Sequence, residues 1–288
     1  MDFISNLLAI PIGFVMRLFY TIIPNYAIVL LLITIVTRLF MIPSTLKQQK
    51  SGAKLARVQP KIREIQETYK NNREKMNQEI QKVYAEEGYN PMSGCLPLLI
   101  TWPIFFGLIG VIYRPLTFLL GLNSNLITQA SAAAEGVVMN SPAGLSRMLE
   151  LYVVRFQDRS FITQFFPNGT GLNLRLFGLD LSQTPDLSHF SALWLIPLLA
   201  GVSQLLMFLI TQKTTGQKSG MAMGIVFPLI SVWMTFSFPA AVGLYWFYSA
   251  LVAGVQSLLI RKFYNPSASE AKSLLNAAKR RSQKFTGQ

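Results

Sequence analysis

The stretch AIVLLLITIVTRLFMIPSTLKQQKS (27–51) predicts a membrane-spanning helix and with it the fold class. Residues 27–43 are apolar except for Thr34, Thr37 and Arg38, and a basic, glutamine-rich exit follows them. With its flanks, the run is long enough to cross the hydrocarbon core of a bilayer. An arginine near the middle of such a run costs about 3 kcal/mol on insertion scales. Arg38 therefore needs a partner, a wet cavity or a functional role.

Arg38 could reach the membrane surface by extending its side chain, but helix geometry argues against this alternative. It lies nine residues before Lys47, which is about 13 Å of helix rise. Helical side chains also lean toward the N-terminus, here away from the basic exit. Arg38 thus leans back into the bilayer, on the face of Thr34. Because the apolar runs contain no Asp or Glu, a fixed ion pair inside them is a weak alternative, and the pattern favours a water-accessible polar cavity.

The composition favours an integral membrane protein. The 288 residues are 51% hydrophobic, with a mean hydropathy of +0.37, and they include five long apolar runs. The single cysteine, Cys95, excludes an intramolecular disulfide framework. With only one histidine, His189, the sequence also offers no metal cluster. We therefore predict neither a cofactor nor a metal site.

The predicted fold class is an all-α integral membrane protein with five spans, an N-terminal amphipathic helix and a cytoplasmic antiparallel helical hairpin. The first helix could itself be a span, although Pro11, Gly13 and Arg17 interrupt it. The Ala/Ser-rich part at 130–134 is predicted to lie at the surface. In chain order the predicted segments are an outer amphipathic helix (1–22), a first span (23–46), the hairpin (47–93), a second span (94–114), an extracellular segment (115–189), a third span (190–211), a cytoplasmic loop (212–220), a fourth span (221–237), a fifth span (240–260) and a basic cytoplasmic tail (261–288).

Charge sets the predicted orientation. The hairpin, the short loop and the tail hold 19 of the 26 Lys and Arg residues, so the positive-inside rule places them in the cytoplasm and the N-terminus outside. The basic tail could also contact anionic lipid or ribosomal RNA. The hairpin has a narrow apolar seam at helical spacing, too thin for an independent core. The seam comprises Leu55, Val58, Ile62, Ile65, Tyr69, Met76, Ile80 and Val83.

The apolar runs do not carry the groups that catalysis needs. They contain no acidic pair, no Gly-x-Ser-x-Gly or His-Glu-x-x-His motif and no phosphate-binding glycine loop. We therefore predict that the protein is not an enzyme. Tyr245 and Trp246 lie well inside the last run and either line a cavity or pack the bundle. The sparse polar and aromatic set of the runs is Thr34, Arg38, Thr101, Gln204, Gln256, Tyr245, Trp246 and Tyr248.

Four ordered stretches form one recognisable pattern. They are TRLFMIPSTLKQQKS (37–51), QPKIREIQETYKNNREKMNQEIQKVYAEEGYNPMSGCLPLLI (59–100), GLDLSQTPDL (178–187) and FPAAVGLYWFYSALVAGVQSLLIRK (238–262). With them the sequence resembles the YidC/Oxa/Alb family of membrane protein insertases over nearly its whole length. It is more similar to the short form of Gram-positive bacteria than to the longer Gram-negative form.

This resemblance implies a hydrophilic groove among the five spans, open to the cytoplasm and to lipid and closed outside. The implied groove residues are Arg38, Thr34, Tyr245 and Trp246. Gln204 is a further candidate, about one turn from the position where some relatives carry a groove glutamine. The hairpin is implied to recruit substrates, and its candidate recruitment residues are Lys61, Arg63, Tyr69 and Tyr84.

The implied activity is insertion and chaperoning of nascent membrane proteins in the bacterial plasma membrane, alone or with the Sec translocon. The implied partners also include the signal recognition machinery, the ribosome and membrane lipids. The alternative function is a secondary transporter or channel for a small solute. That class needs a pathway reaching both sides and usually shows internal repeats, and the sequence shows no clear repeat.

Overall fold

A computed structural model of the chain describes residues 2–90, 96–138, 148–215, 221–264 and Leu275. The described chain is mostly helical, which confirms the predicted helical class; the only strands in it are β1 (Arg175–Leu176) and β2 (Leu179–Asp180), which pair antiparallel. The helices are α1 (Asp2–Ile22), α2 (Tyr26–Phe40), α3 (Ile42–Thr68), α4 (Arg73–Glu86), α5 (Leu96–Tyr113), a π-helical turn (Leu116–Leu120), α6 (Ser124–Val138), α7 (Leu149–Arg155), α8 (Ser160–Thr163), a 3₁₀ turn (Ala192–Trp194), α9 (Leu195–Thr215), α10 (Met221–Thr235) and α11 (Ala240–Tyr264). Cys95 and most of the predicted tail lie outside the described residues.

Length and hydropathy identify two described helices as able to cross a membrane by themselves, Ala192–Gln212 and Ala240–Tyr264. A third span results if α2 and α3, which meet at a bend of 61°, are counted together. The segments Asn6–Ile22 and Ile100–Tyr113 are apolar but shorter. The described helices therefore account for two to three of the five predicted spans, and the five-span arrangement remains a prediction.

The exposed surfaces of the long helices are apolar, as expected for contact with lipid. On α9 the exposed residues Leu198, Val202, Leu205 and Leu209 recur every three or four positions and so form one stripe. A comparable stripe on α11 contains Leu251, Val255, Leu258 and Leu259. Such continuous exposed apolar faces are rare on soluble proteins.

The chain divides into two compact units. The first comprises Met1–Thr37, Ile100–Gln204 and Phe227–Ala250. The second comprises Arg38–Leu99, Leu205–Val226 and Leu251–Gln288. Five helices contribute residues to both units: α2, α5, α9, α10 and α11.

In the first unit, α1 packs closely against the π-helical turn. At the contact, Gly13 is buried, because a Cβ there would lie 2.7 Å from the carbonyl oxygen of Phe118. Arg17 donates from Nε to the carbonyl of Leu119 at 3.0 Å, and Gly121, at φ +63°, ends the turn beside its guanidinium. Arg17, one of the residues that interrupt the apolar run of α1, thus satisfies main-chain acceptors of the neighbouring turn.

Both sides of α1 are apolar. Its buried face carries Ala9, Met16 and Tyr20, while Ile10 and Phe14 are exposed on the other side. A helix with apolar residues all round is typical of one that faces protein on one side and lipid on the other. The interfacial placement of this amphipathic helix stays a prediction.

Helices α7 and α8 pack against α6, which buries two of its alanines. Ala130 and Ala134 are fully buried and Ser131 is 9% exposed, so the predicted surface location is wrong for these three residues, whereas Ala132 is exposed as predicted. Small side chains here allow the close approach of α7 and α8 to α6. The Ala/Ser-rich composition suggested exposure to solvent. The spacing of Ala130 and Ala134, one helical turn apart, instead indicates a packing face.

The first turn of α11 is tied to the segment that follows β2. The N–H groups of Ala240 and Ala241 donate to the carbonyls of Gln183 and Leu181 at 2.8 and 3.0 Å. These are helix N-terminal donors that have no partner within the helix itself. Asp180 organises the acceptor segment by accepting from the backbone N–H and hydroxyl of Ser182. The stretch 178–187 therefore anchors the helix that carries Tyr245 and Trp246.

A buried carboxylate joins α7 to the π-helical turn. Glu150 is 6% exposed and accepts hydrogen bonds from the backbone N–H and the hydroxyl of Thr117 at 2.9 and 2.6 Å. Burial raises the pKa of the Glu150 carboxyl above its ordinary value, although the Thr117 hydrogen bonds and the charge of Arg114 oppose the shift.

Glu150 should make the protein more resistant to unfolding as the pH falls. Because its pKa is higher in the folded state, the folded chain binds the proton more tightly. Its contribution to stability therefore grows as the pH falls from neutral, through the raised pKa, toward the usual range of a glutamate. Glu150→Gln should reduce this pH dependence, measured as thermal unfolding midpoints in detergent between about pH 7.5 and about pH 5. The exposed Glu135→Gln is the matched control; identical pH slopes for the wild type and Glu150→Gln would contradict the prediction.

In the second unit, α3 and α4 pack against each other along the apolar seam, where Val58 and Ile62 are buried. Asn72 caps α4 by accepting from the backbone N–H of Lys75 at 3.0 Å. Glu87, just after α4, forms ion pairs with Arg57 at 2.9 Å and Lys61 at 2.7 Å on α3. The pairing with Lys61 lowers the pKa of the Glu87 carboxyl. These contacts fix the base of the hairpin.

Candidate functional site

Helix α2 begins after Pro24, where the side chain of Asn25 accepts from the backbone N–H of Ile28 at 3.1 Å. Residues Val29, Leu30, Ile33 and Thr34 recur at helical spacing and are buried, whereas the opposite face is exposed. The local periodicity therefore turns Thr34 inward.

Thr34 lies in a small cavity of the first unit. The cavity is about 180 Å³, including the space at its mouth, and is not wide enough for a water molecule. The hydroxyl of Thr34 donates to the carbonyl of Leu30 at 2.7 Å, and that of Thr37 donates to the carbonyl of Thr34 at 2.9 Å. Since both hydroxyl protons are used within α2, the oxygens offer acceptor lone pairs to the cavity. The lining residues are Ile12, Ile33, Thr34, Thr37, Ile104, Leu108 and Tyr245.

The two aromatic residues predicted on α11 have different surroundings. Tyr245 is buried, lines the cavity and stacks on Phe105 with ring centroids 6.2 Å apart. Trp246 is half-buried between Phe105, at 5.4 Å, and Phe238, at 6.2 Å. The structure thus brings Thr34 and Tyr245 together in one cavity, and it places Trp246 in an aromatic cluster that also contacts Tyr245 through Phe105.

Arg38 belongs to the second unit and is half-buried near the end of α2. Its carbonyl oxygen accepts a hydrogen bond from Nε2 of Gln256 on α11 at 2.9 Å. The 61° bend between α2 and α3 follows directly. Pro43 in the first turn of α3 explains the bend, because proline has no N–H to donate and clashes with the preceding turn.

The remaining predicted site residues occupy α9 and the hairpin. Gln204 is half-buried on α9 and is not among the residues that line the cavity. Lys61 pairs with Glu87 and, like Arg63, is exposed. The other two hairpin residues pair locally: Lys75 lies 5.4 Å from the Tyr69 ring centroid, and the rings of Tyr84 and Tyr89 are 5.0 Å apart.

Sequence reasoning did not single out two residues of this site, Thr37 and Phe105. Thr37 is one of the three polar residues of its run. Its position three residues after Thr34 could have indicated that both lie on the same helix face. Phe105 lies in a uniformly apolar stretch, so no local pattern distinguishes it. Among the described residues, no group of three or more His, Cys, Asp or Glu residues could hold a metal ion.

Comparisons with known proteins converge on one family. A family profile described as "60Kd inner membrane protein" matches residues 18–268. A Treponema denticola protein named "Membrane protein insertase YidC" is 32% identical over 86% of this chain and 36% of its own length. A protein of the same name from Treponema pallidum is 28% identical over 90% of this chain and 35% of its own length. Another, from Clostridium perfringens, is 46% identical over 34% of this chain and 41% of its own length. The chain therefore spans well under half the length of these relatives.

Proposed function

We infer the function from one premise: the chain belongs to the 60Kd inner membrane protein family, the family of the YidC insertases. We propose that it is a membrane protein insertase and chaperone. The observation that carries the proposal is the placement of polar groups in otherwise apolar helices: Thr34, Thr37 and Tyr245 share one cavity, and Arg38 follows on the same helix. Such groups are expensive in a bilayer and mark functional sites.

In the proposed mechanism, a polar groove shortens the hydrophobic path that the translocated tail of a client must cross. Arg38 offers a transient counter-charge to acidic residues in that tail, which would otherwise cost about 2.5–3.5 kcal/mol each at the bilayer centre. The client helix then leaves past Tyr245 and Trp246 into lipid. Burial of its apolar surface, at about 25 cal/mol per Å², supplies the driving force.

The narrow cavity around Thr34 is consistent with a groove that a client widens. An insertase has no need of a continuous water-filled pathway, whereas a solute channel does. The two functions therefore differ in whether the protein lets a small solute cross the membrane.

The proposed topology has five spans in the bacterial plasma membrane, with the N-terminus outside and the C-terminus in the cytoplasm. The charge distribution supports it, because 19 of the 26 Lys and Arg residues fall on the proposed cytoplasmic side. The exposed apolar stripes on α9 and α11 support lipid contact by these helices.

The hairpin is proposed to recruit clients and their delivery machinery. Its exposed Arg63 is available to an external partner, while Lys61 also serves the hairpin through Glu87. Tyr69 and Tyr84 are half-buried; Lys75 lies over the Tyr69 ring, and Tyr84 pairs with Tyr89. The proposed partners are nascent membrane proteins, the Sec translocon, the signal recognition machinery, the ribosome and membrane lipids.

Purified protein reconstituted into sealed liposomes tests the function directly. We expect a single-span client synthesised in a cell-free system to become protected from protease only when the protein is present. The same vesicles, loaded with a small fluorescent solute, should not leak. Solute flux without client insertion would instead establish the channel or transporter function and overturn the proposal.

A further inference from the structure

Two consecutive residues of α11 hold the region where α2 bends into α3. Gln256 donates from Nε2 to the carbonyl of Arg38, before the bend, at 2.9 Å. Ser257 accepts from Nε2 of Gln49, after the bend, at 3.2 Å. All four residues belong to the second unit, and Gln49 is 5% exposed. The two arms of the bend are therefore tied to one helix that is far away in sequence.

The hydrogen bond from Gln256 is made to the main chain of Arg38, the residue whose side chain is proposed to meet the client. Arg38 lies two residues before the end of α2, where the i→i+4 hydrogen-bond ladder is interrupted. Loss of this hydrogen bond would remove one restraint on the backbone at the bend and allow it to rotate. Because the Cα–Cβ direction follows the backbone, that rotation would also turn the side chain of Arg38.

We propose that Gln256 is a positioning residue for Arg38: by donating to the Arg38 carbonyl it fixes the backbone at the bend and so directs the guanidinium toward the client. This inference rests on the proposed function of Arg38. It assigns Gln256 no contact with the client. The neighbouring Gln49–Ser257 bond ties α3 to α11 without touching Arg38, so it provides a matched comparison.

The first measurement reports side-chain direction without any client. In a Cys95→Ser background, Arg38→Cys supplies a single thiol whose reaction rate with a membrane-impermeant maleimide depends on where the side chain points. Adding Gln256→Met, which preserves length but has no donor, should change that rate by about threefold to tenfold, the range expected when one interhelical hydrogen bond is lost. Adding Ser257→Ala should leave it within about twofold. An unchanged rate with Gln256→Met would overturn the proposal.

The second measurement uses liposome insertion with Arg38 in place. Gln256→Met should lower insertion of a client with an acidic tail by about threefold to tenfold and leave a neutral-tail client unaffected. Added to Arg38→Ala, it should cause no further loss, because two residues acting through one group are not additive. An equal loss with Ser257→Ala, or for both clients, would reduce Gln256 to a structural residue and overturn the proposal. If the thiol rate changes but Arg38→Ala inserts normally, the proposed role of Arg38 is overturned while the main-chain contact stands.

Discussion

Replacing Arg38 with alanine should lower insertion of single-span clients with acidic translocated tails by about tenfold or more. An acidic residue at the bilayer centre costs about 2.5–3.5 kcal/mol, and a factor of ten corresponds to about 1.4 kcal/mol. A counter-charge that offsets half of that cost is therefore enough to produce the loss. The measurement is the protease-protected fraction of client in reconstituted liposomes.

Three controls separate the charge of Arg38 from its packing. Arg38→Lys should retain part of the activity, since lysine keeps the charge but not the bidentate geometry of a guanidinium. A client with a neutral tail should insert nearly as well with Arg38→Ala as with the wild type. Arg155→Ala removes an exposed arginine of α7 and should have no effect. Normal insertion of acidic-tail clients by Arg38→Ala would exclude Arg38 from the mechanism.

Gly13→Ala should destabilise the protein although alanine is the better helix former. A Cβ at this position would lie 2.7 Å from the carbonyl oxygen and 2.9 Å from the Cβ of Phe118. The oxygen belongs to the main chain and cannot rotate away, so α1 must move off the π-helical turn. Overpacking of this kind costs about 1–3 kcal/mol, which exceeds the gain of about 1 kcal/mol from helix propensity. We expect a lower thermal midpoint in detergent, and a larger decrease with Gly13→Leu.

Gly254→Ala is the matched control on α11. Its Cβ would lie 3.4 Å from Cδ1 of Ile210, an ordinary contact distance. The propensity term should therefore dominate and leave the midpoint unchanged or slightly raised. Equal changes in the thermal midpoint for Gly13→Ala and Gly254→Ala would contradict close packing of α1. Both changes would then be explained by helix propensity alone.

Much of the candidate site could be predicted from the sequence, because it rests on patterns within one helix. The apolar run with Thr34 and Arg38 one turn apart fixes which groups share a face. What the sequence could not supply is the neighbour opposite each face. Tyr245 and Trp246 are adjacent in sequence, yet one lines a cavity and the other packs between two phenylalanines.

By itself, the sequence determined the helical membrane class, the unusual arginine in an apolar run and the family. The comparisons confirmed the family. Hydropathy and helical periodicity act over a few neighbouring residues, so they can be read directly from the chain. The tertiary structure alone decided that Ala130 and Ala134 are buried, that Lys61 pairs with Glu87 and that Gln256 holds the Arg38 carbonyl. The last contact joins residues 218 positions apart. Such partners are selected by how helices pack, and no local pattern specifies that choice.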